Sequence, residues 1–272
     1  MWNFLKQTPP TAIFGMLVIL VTAILAVFAP LIAPYGETQI VGAEYLPWGD
    51  GYVLGTDNLG RDMLSRMIFG ARNTVGLAIL TTAIAFFIGS FLGIFVALKG
   101  GWIDQTVGRI VDVLMAVPPL ILALILLAIL GSSIPNMVAV IAVIYVAPVF
   151  RLARAAAMDI AELDFIQAAK LRGEGTLWLI RREILPNITS TLLAEFGLRF
   201  CFVFLTISAL SFLGLGLPPP MADWGGMVRD NAALITFGDS TPLLPAACIA
   251  LLTVSVNFVV DWLLHRASGL KE

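Results

Sequence analysis

The chain has 272 residues, 59% of them hydrophobic and only 12% charged, with a mean hydropathy of +0.96. A soluble domain carries about 25% charged residues, so this composition describes an integral membrane protein. A net charge of -2 excludes an electrostatic nucleic-acid binder, and the single histidine, His265, excludes a His-based metal centre.

Apolar runs of spanning length occur at about 12–32, 74–98, 110–130, 136–152, 191–216 and 243–264. The first run is longer than the apolar core of a signal peptide and is read as a retained helix. Between it and the second run lies LGTDNLGRDMLSRMIFGAR, residues 54–72. Asp57 or Asn58 is expected to cap an interfacial helix there, with Met63, Leu64, Met67, Ile68 and Ala71 as its apolar stripe. Asp62 and Arg66 are expected to pair across one turn. Gly89 and Gly93 in the second run suit close helix packing. In the third run Pro118-Pro119 must bend the helix or leave carbonyls unpaired. The fourth run contains Pro148 and is expected to extend into Arg151–Ala157.

Within the loop from 153 to 190, residues 164–188 are the one long stretch where polar and charged residues dominate, and the region 151–183 is nearly balanced in charge. On a helix Ala169 and Gly173 lie four residues apart, leaving a smooth face that a partner's backbone can approach. Gly173 and Gly175 are expected to end that helix, and Pro186 to mark the stop of a second helix or the start of the next.

Span five carries Glu195 and Arg199 one turn apart, read either as a structural pair or as part of an inner gate. Asn257 and Asp261 in span six pose the same alternatives. Span five then runs out through LSFLGLGLPPPMADWGGMV, residues 210–228, where Trp224 suits the membrane interface. Cys201 and Cys248 fall in apolar runs and are read as buried thiols. Eleven Lys and Arg residues fall on the side of the termini and of the 153–190 segment, including Lys6, Lys99, Arg109 and Lys271. Four (Arg61, Arg66, Arg72, Arg229) fall on the other, which assigns both termini to the cytoplasm.

These residues carry a resemblance. Residues 164–188 are similar to the EAA loop of ABC importer permeases, whose pattern is E-A-A, three residues, G, nine residues, I, one residue, L-P. Gln167 stands for the Glu; Ala168, Ala169, Gly173, Leu185 and Pro186 match; Glu183 occupies the Ile position with Ile184 beside it. Segments 54–72 and 211–227 resemble the C-type permease subunits of dipeptide, oligopeptide and nickel importers. The resemblance implies an all-α fold of six transmembrane helices, the type I importer permease fold, in a bacterial inner membrane. Residues 167–169, 173, 185 and 186 would belong to a coupling helix seated in a cleft of an ATPase subunit. The loop from Pro218 to Pro242 would face a periplasmic or lipid-anchored binding protein, with Asp223, Trp224, Arg229 and Asp230 as contacts. A second homologous permease subunit and one or two ATP-binding subunits would complete the assembly.

No G-x-x-x-x-G-K-[ST], HExxH, CxxC or GxSxG occurs in the sequence. ATP and Mg would therefore be bound by the partner subunits, and no cofactor by this chain. The substrate implied is a dipeptide or short oligopeptide, with nickel or a nickel chelate as the alternative. An ion-coupled secondary transporter is the remaining reading, although no inverted repeat of the Gly/Pro pattern relates the two halves.

Overall fold

The computed structural model describes residues 8–49 and 51–268; Lys6 and Lys271 lie outside them. The architecture is helical throughout, and the described residues contain only two isolated β-bridges, both in the segment between the first two spans. The spanning helices are α1 (Pro10–Val27), α2 (Met63–Lys99), the broken pair α3 (Gly101–Met115) and α4 (Pro119–Leu130), α5 (Ile134–Ala161), α7 (Leu185–Phe212) and α9 (Leu243–Ser268). Shorter helices lie between the spans, among them α6 (Asp164–Leu171) at one end of the bundle and α8 (Trp224–Asn231) at the other. Among the described residues five helices are long and apolar enough to cross a membrane, or six if the bent α3–α4 pair counts as one span.

Two spans differ from the simplest reading of the apolar runs. The interfacial helix expected before span two is not separate: it continues into that span as one 37-residue helix. Its cap is Asp62, which accepts from Ser65 N (2.7 Å) and Ser65 Oγ (2.6 Å), not Asp57 or Asn58. The third span does break at its prolines. Pro119 is the first residue of α4, and α3 and α4 meet at 85°. Proline lacks the donor for one ladder bond and its ring displaces the carbonyl one turn back, so the run cannot remain one straight helix.

The bundle is held by close backbone approach as well as by side-chain packing. A Cβ on Gly89 would stand 2.8 Å from Val146 O, and one on Gly93 2.6 Å from Phe150 O, so the α2–α5 contact requires both glycines. Gly15 of α1 meets the Ser255 carbonyl of α9 in the same way, at 2.5 Å. Ile141, Tyr145, Phe204, Ile207 and Leu210 lie in the central core, while Phe87, Val113 and Ile129 are exposed on the outside, as a lipid-facing surface demands. Both cysteines are free thiols, Cys201 buried and Cys248 partly so.

Candidate functional site

At one end of the bundle, α5 stops at Ala161 and the chain turns into α6. Ile166 and Ala169 are both fully buried. Ile166 joins a cluster with Ile94, Ala153, Ala157, Ile180 and Ile184 that seats the segment on α2 and α5. The outward side of α6 carries Phe165, Gln167, Ala168, Lys170 and Leu171, and Leu171 is 90% exposed. Gln167 Nε2 donates to Ala161 O at 3.1 Å, satisfying a carbonyl left over at the end of α5.

Gly173 lies beyond the helix. Its φ is +84°, its N–H donates to Lys170 O (3.0 Å), and Glu174 N–H donates to Ala169 O (3.2 Å). This is a Schellman termination, which asks for a left-handed residue. The smooth face expected of Ala169 and Gly173 together is therefore corrected: Ala169 points inward, and Gly173 forms a bare turn beside Ala168 and Leu171. Gly175 is extended and leads a short turn, Thr176–Leu179.

From there the chain does not stop at Pro186. Residues Ile180–Ile184 form a π turn, with Leu185 N–H donating to Ile180 O, and continue directly into α7. In a regular α-helix the Pro186 ring would press on the Arg182 carbonyl and leave it without a donor. The wider π turn relieves that contact, which gives the Leu185-Pro186 pair a structural reason. Asn187 Nδ2 donates to Glu183 O (2.6 Å) in the same stretch. Leu177, Trp178, Arg181 and Arg182 border an open cavity of about 490 Å³ beside it.

Two ion pairs lie between this end and the middle of the bundle. Arg154 of α5 and Asp104 of α3 form a two-point ion pair, with Nη2 to Oδ2 at 2.6 Å. In α7, Arg199 donates to Glu195 Oε1 through Nε (2.9 Å) and Nη2 (2.5 Å). The guanidinium lies over Tyr145 and Phe202, and Tyr145 Oη shares a 2.6 Å hydrogen bond with Thr206. Asn257 does not meet Asp261; its amide binds Thr253 O at 2.9 Å.

At the opposite end, the segment before α2 folds around Asp57. Its carboxylate accepts from the backbone of Leu59 and Arg61 (2.9 Å each), from Arg61 Nε (2.7 Å), and lies 3.2 Å from Arg66 Nε. The expected Asp62–Arg66 pair is thus replaced, because Asp62 is committed to capping and the loop returns Asp57 to Arg66. Glu37 joins this segment to α2 and to the later loop, accepting from Asn73 Nδ2 (2.8 Å) and Ala222 N (2.5 Å). Trp48 Nε1 reaches Thr241 Oγ1 at 3.1 Å.

The four residues expected to touch a binding protein separate into two kinds. Trp224 is 4% exposed; its N–H groups bond Thr74 Oγ1 (3.1 Å) and Met67 O (3.0 Å), and its ring fills the space above Gly70. Trp224 is therefore a core residue and not an interfacial one. Asp223 is equally buried and caps α8 through Gly226 N (2.9 Å), and burial pushes its carboxyl up from the ordinary value. Arg229 and Asp230 remain at the surface, paired at 2.8 Å. They border a cavity of about 220 Å³ with Asn58, Arg61 and Pro220.

The chain is a helical membrane bundle with one broken span, a compact helix-and-turn segment at one end and two interlocked loops at the other. The solved structures it resembles agree on the fold. One is the methionine ABC transporter MetNI in inward-facing conformations (TM-score 0.60, 16% identity, 75% of this chain and 97% of that one). Another is an amino acid ABC transporter with histidines (TM-score 0.55, 20% identity, 74% and 94%).

The chain belongs to the family of binding-protein-dependent transport system inner membrane components, which matches residues 89–268. Residues 2–47 match the N-terminal TM domain of oligopeptide transport permease C. Among its relatives are the dipeptide transport system permease protein DppC of Alkalihalophilus pseudofirmus (35% identical over 255 residues, 93% of this chain and 83% of the relative). The glutathione transport system permease protein GsiD of Pectobacterium atrosepticum is 32% identical over 263 residues (96% and 87%). The peptide transport system permease protein SapC of Haemophilus influenzae is 35% identical over 256 residues (91% and 86%).

Proposed function

We propose that this chain is one of two membrane-spanning subunits of an ATP-driven importer that carries dipeptides or short oligopeptides across a bacterial inner membrane. The observation that carries this reading is the docking segment. Ile166 and Ala169 anchor α6 in the helix core, while Ala168, Leu171 and the bare Gly173 turn face outward. A patch of low relief on a rigid seat suits a partner's cleft, and the pattern match of residues 167–186 makes that partner an ATP-binding subunit.

The mechanism follows from the seat. Closure of the ATP-binding subunits moves the docking segment as a body, and the apolar cluster around Ile94 and Ile166 passes that movement to α2 and α5. The bundle then exchanges between two arrangements, open to one side or the other. In this reading the docking segment and both termini are cytoplasmic. The loops around Asp57 and Arg229 face a periplasmic or lipid-anchored binding protein, with Arg229 and Asp230 as the exposed charges available to it. Asp223 and Trp224 support that surface from below. ATP and Mg are held by the partner subunits. The names of the relatives favour peptides over nickel.

Purification of the tagged chain in mild detergent tests the assembly. A second permease and one or two P-loop ATPases are expected with it, and uptake of radiolabelled dialanine by vesicles holding the complex tests the substrate. A chain that purifies alone and transports on an ion gradient would overturn the importer reading; an intact complex that ignores peptides would overturn only the substrate.

A further inference from the structure

Helix α3 carries more polar residues than a lipid-facing half-span should. The contacts of its inner side are fixed: Asp104 holds Arg154, and Ile103, Val107, Val111 and Leu114 pack with Val96, Ala147 and Phe150. At 100° per residue the opposite side divides into two adjoining stripes. One carries Gln105, Arg109 and Asp112, the other Trp102, Ile110 and Val113, and all six are exposed. Among the described residues, no hydrogen bond or ion pair engages the side chains of Gln105, Arg109 or Asp112, although Asp112 lies within electrostatic range of Arg154.

Depth decides what these residues face. Asp104 stands level with Arg154 of α5, whereas Val111 is clustered with Phe150 and Ala147, which lie one to two turns farther into the span. With α3 and α4 counted as one span, this places Arg109 and Asp112 within the span and not at its end. An unpaired charge turned to hydrocarbon is costly, and such groups face either water or a protein partner. The neighbouring stripe of Trp102, Ile110 and Val113 is what lipid would accept.

We infer that Gln105, Arg109 and Asp112 form part of the wall of the water-filled translocation path at its docking-segment end. Trp102, Ile110 and Val113 turn away from that path towards lipid. The Asp104–Arg154 pair holds this wall on α5. The break at Pro118-Pro119 lets α4 take its own direction without carrying the polar stripe with it. The assignment rests on the permease reading only in requiring that a path exist; the substrate does not enter it.

Cysteine accessibility in the assembled transporter tests it. In a chain carrying Cys201→Ala and Cys248→Ala, single cysteines replace Gln105, Arg109, Asp112, Ile110 or Val113, and inside-out membrane vesicles are treated with a charged methanethiosulfonate. The thiolate is the reacting species and hydrocarbon suppresses its formation, so the three polar-stripe positions should react at least about tenfold faster than 110 and 113. Thiol content after denaturation normalises each rate. Should the Arg109 or Asp112 variants fail to accumulate, Gln105 and the exposed Ala116 of the same stripe make the same comparison. Equal rates at every position would place α3 in bulk water at the surface and overturn the inference. Silence at all polar positions would mean a dry contact with a partner subunit, which also overturns it. Normal labelling, with no peptide uptake by right-side-out proteoliposomes holding the same complex, its binding protein and internal ATP, would sink the peptide reading and leave the wall assignment standing.

Discussion

Gly173 offers a sharp test of the docking segment, because backbone shape and side-chain bulk can be varied there separately. A Cβ at this position would meet nothing within 4 Å, so substitution creates no clash inside the chain. What remains is the backbone: φ is +84°, and an L-residue held in the left-handed region costs about 1–2 kcal/mol. Asn visits this region more readily than Ala and should lose the least. For Gly173→Ala the cost lowers the population of the closed turn by about 5–30-fold relative to its open forms. Gly173→Trp adds to the same strain an indole standing in the space where a partner would sit. Transport and ATP hydrolysis, measured in one preparation of proteoliposomes, should rank Asn, then Ala, then Trp in falling ratio of solute moved to ATP consumed, with Trp hydrolysing but not transporting. Wild-type transport by Gly173→Trp would refute the docking assignment. Equal losses for all three would show that the turn geometry matters and the open space does not.

Gln167→Glu restores the residue of the EAA pattern, yet it removes the donor to Ala161 O and sets a negative charge at the negative end of the α5 dipole. A loss of about 1 kcal/mol is expected, read as faster hydrogen exchange over 162–171; unchanged exchange would show that the tether does nothing. Pro186→Ala allows the π turn to close into regular helix, rotating the docking residues by about 100° against α7, and should leave hydrolysis intact while transport falls; normal transport would show the widened turn to be dispensable. Glu195→Gln leaves the Arg199 guanidinium mostly buried without its counter-charge, so thermal stability should drop by about 3 kcal/mol or less, eased by the two aromatic faces; wild-type melting would show the pair to be idle. For Asp223 the folded carboxyl titrates above its unfolded value of about 3.9, so the native state holds its proton more tightly and stability falls as pH rises through that window. Asp223→Asn keeps an acceptor for Gly226 N and should flatten the slope; an unaltered melting profile against pH would refute the assignment.

Much of the bundle was legible because its signals are local. Apolar runs locate the spans, Gly89 and Gly93 announce the α2–α5 contact, and Pro118-Pro119 announce the break in span three. The Glu195–Arg199 pair needed only helical spacing. Misreadings arose where a distant segment competed with a local one. Asp62 stands one turn from Arg66, but capping claimed it, and the loop fold delivered Asp57 to that arginine instead. Trp224 has the amphipathic character of an interfacial residue; its seat above Gly70 is built by a helix more than 150 positions earlier, which no local pattern records. Gly173 was correctly read as a terminator, but Ala169 turns inward, and its neighbour Ile166 is seated by Ile94 of α2, Ala153 of α5 and Ile184 of the π turn, all distant in the chain. The π turn had a visible cause in Pro186, although the sequence alone did not distinguish a widened turn from a break.

Helix α2 is continuous over 37 residues, or about 55 Å at 1.5 Å per residue. One end is fixed by Asp62 and Arg66 to the loops, and the other carries Ile94 into the cluster beneath the docking segment. Nothing along it resembles the proline break of α3 and α4. Such a rod has a mechanical advantage: a tilt of roughly 5° about one end carries the other through about 5 Å, close to one helical pitch. If a solute-loaded partner meets the loops, small angular changes there would be enlarged into displacements at the far end. On the importer reading, such a rod would let occupancy on one side be felt on the other without any relay of individual side chains.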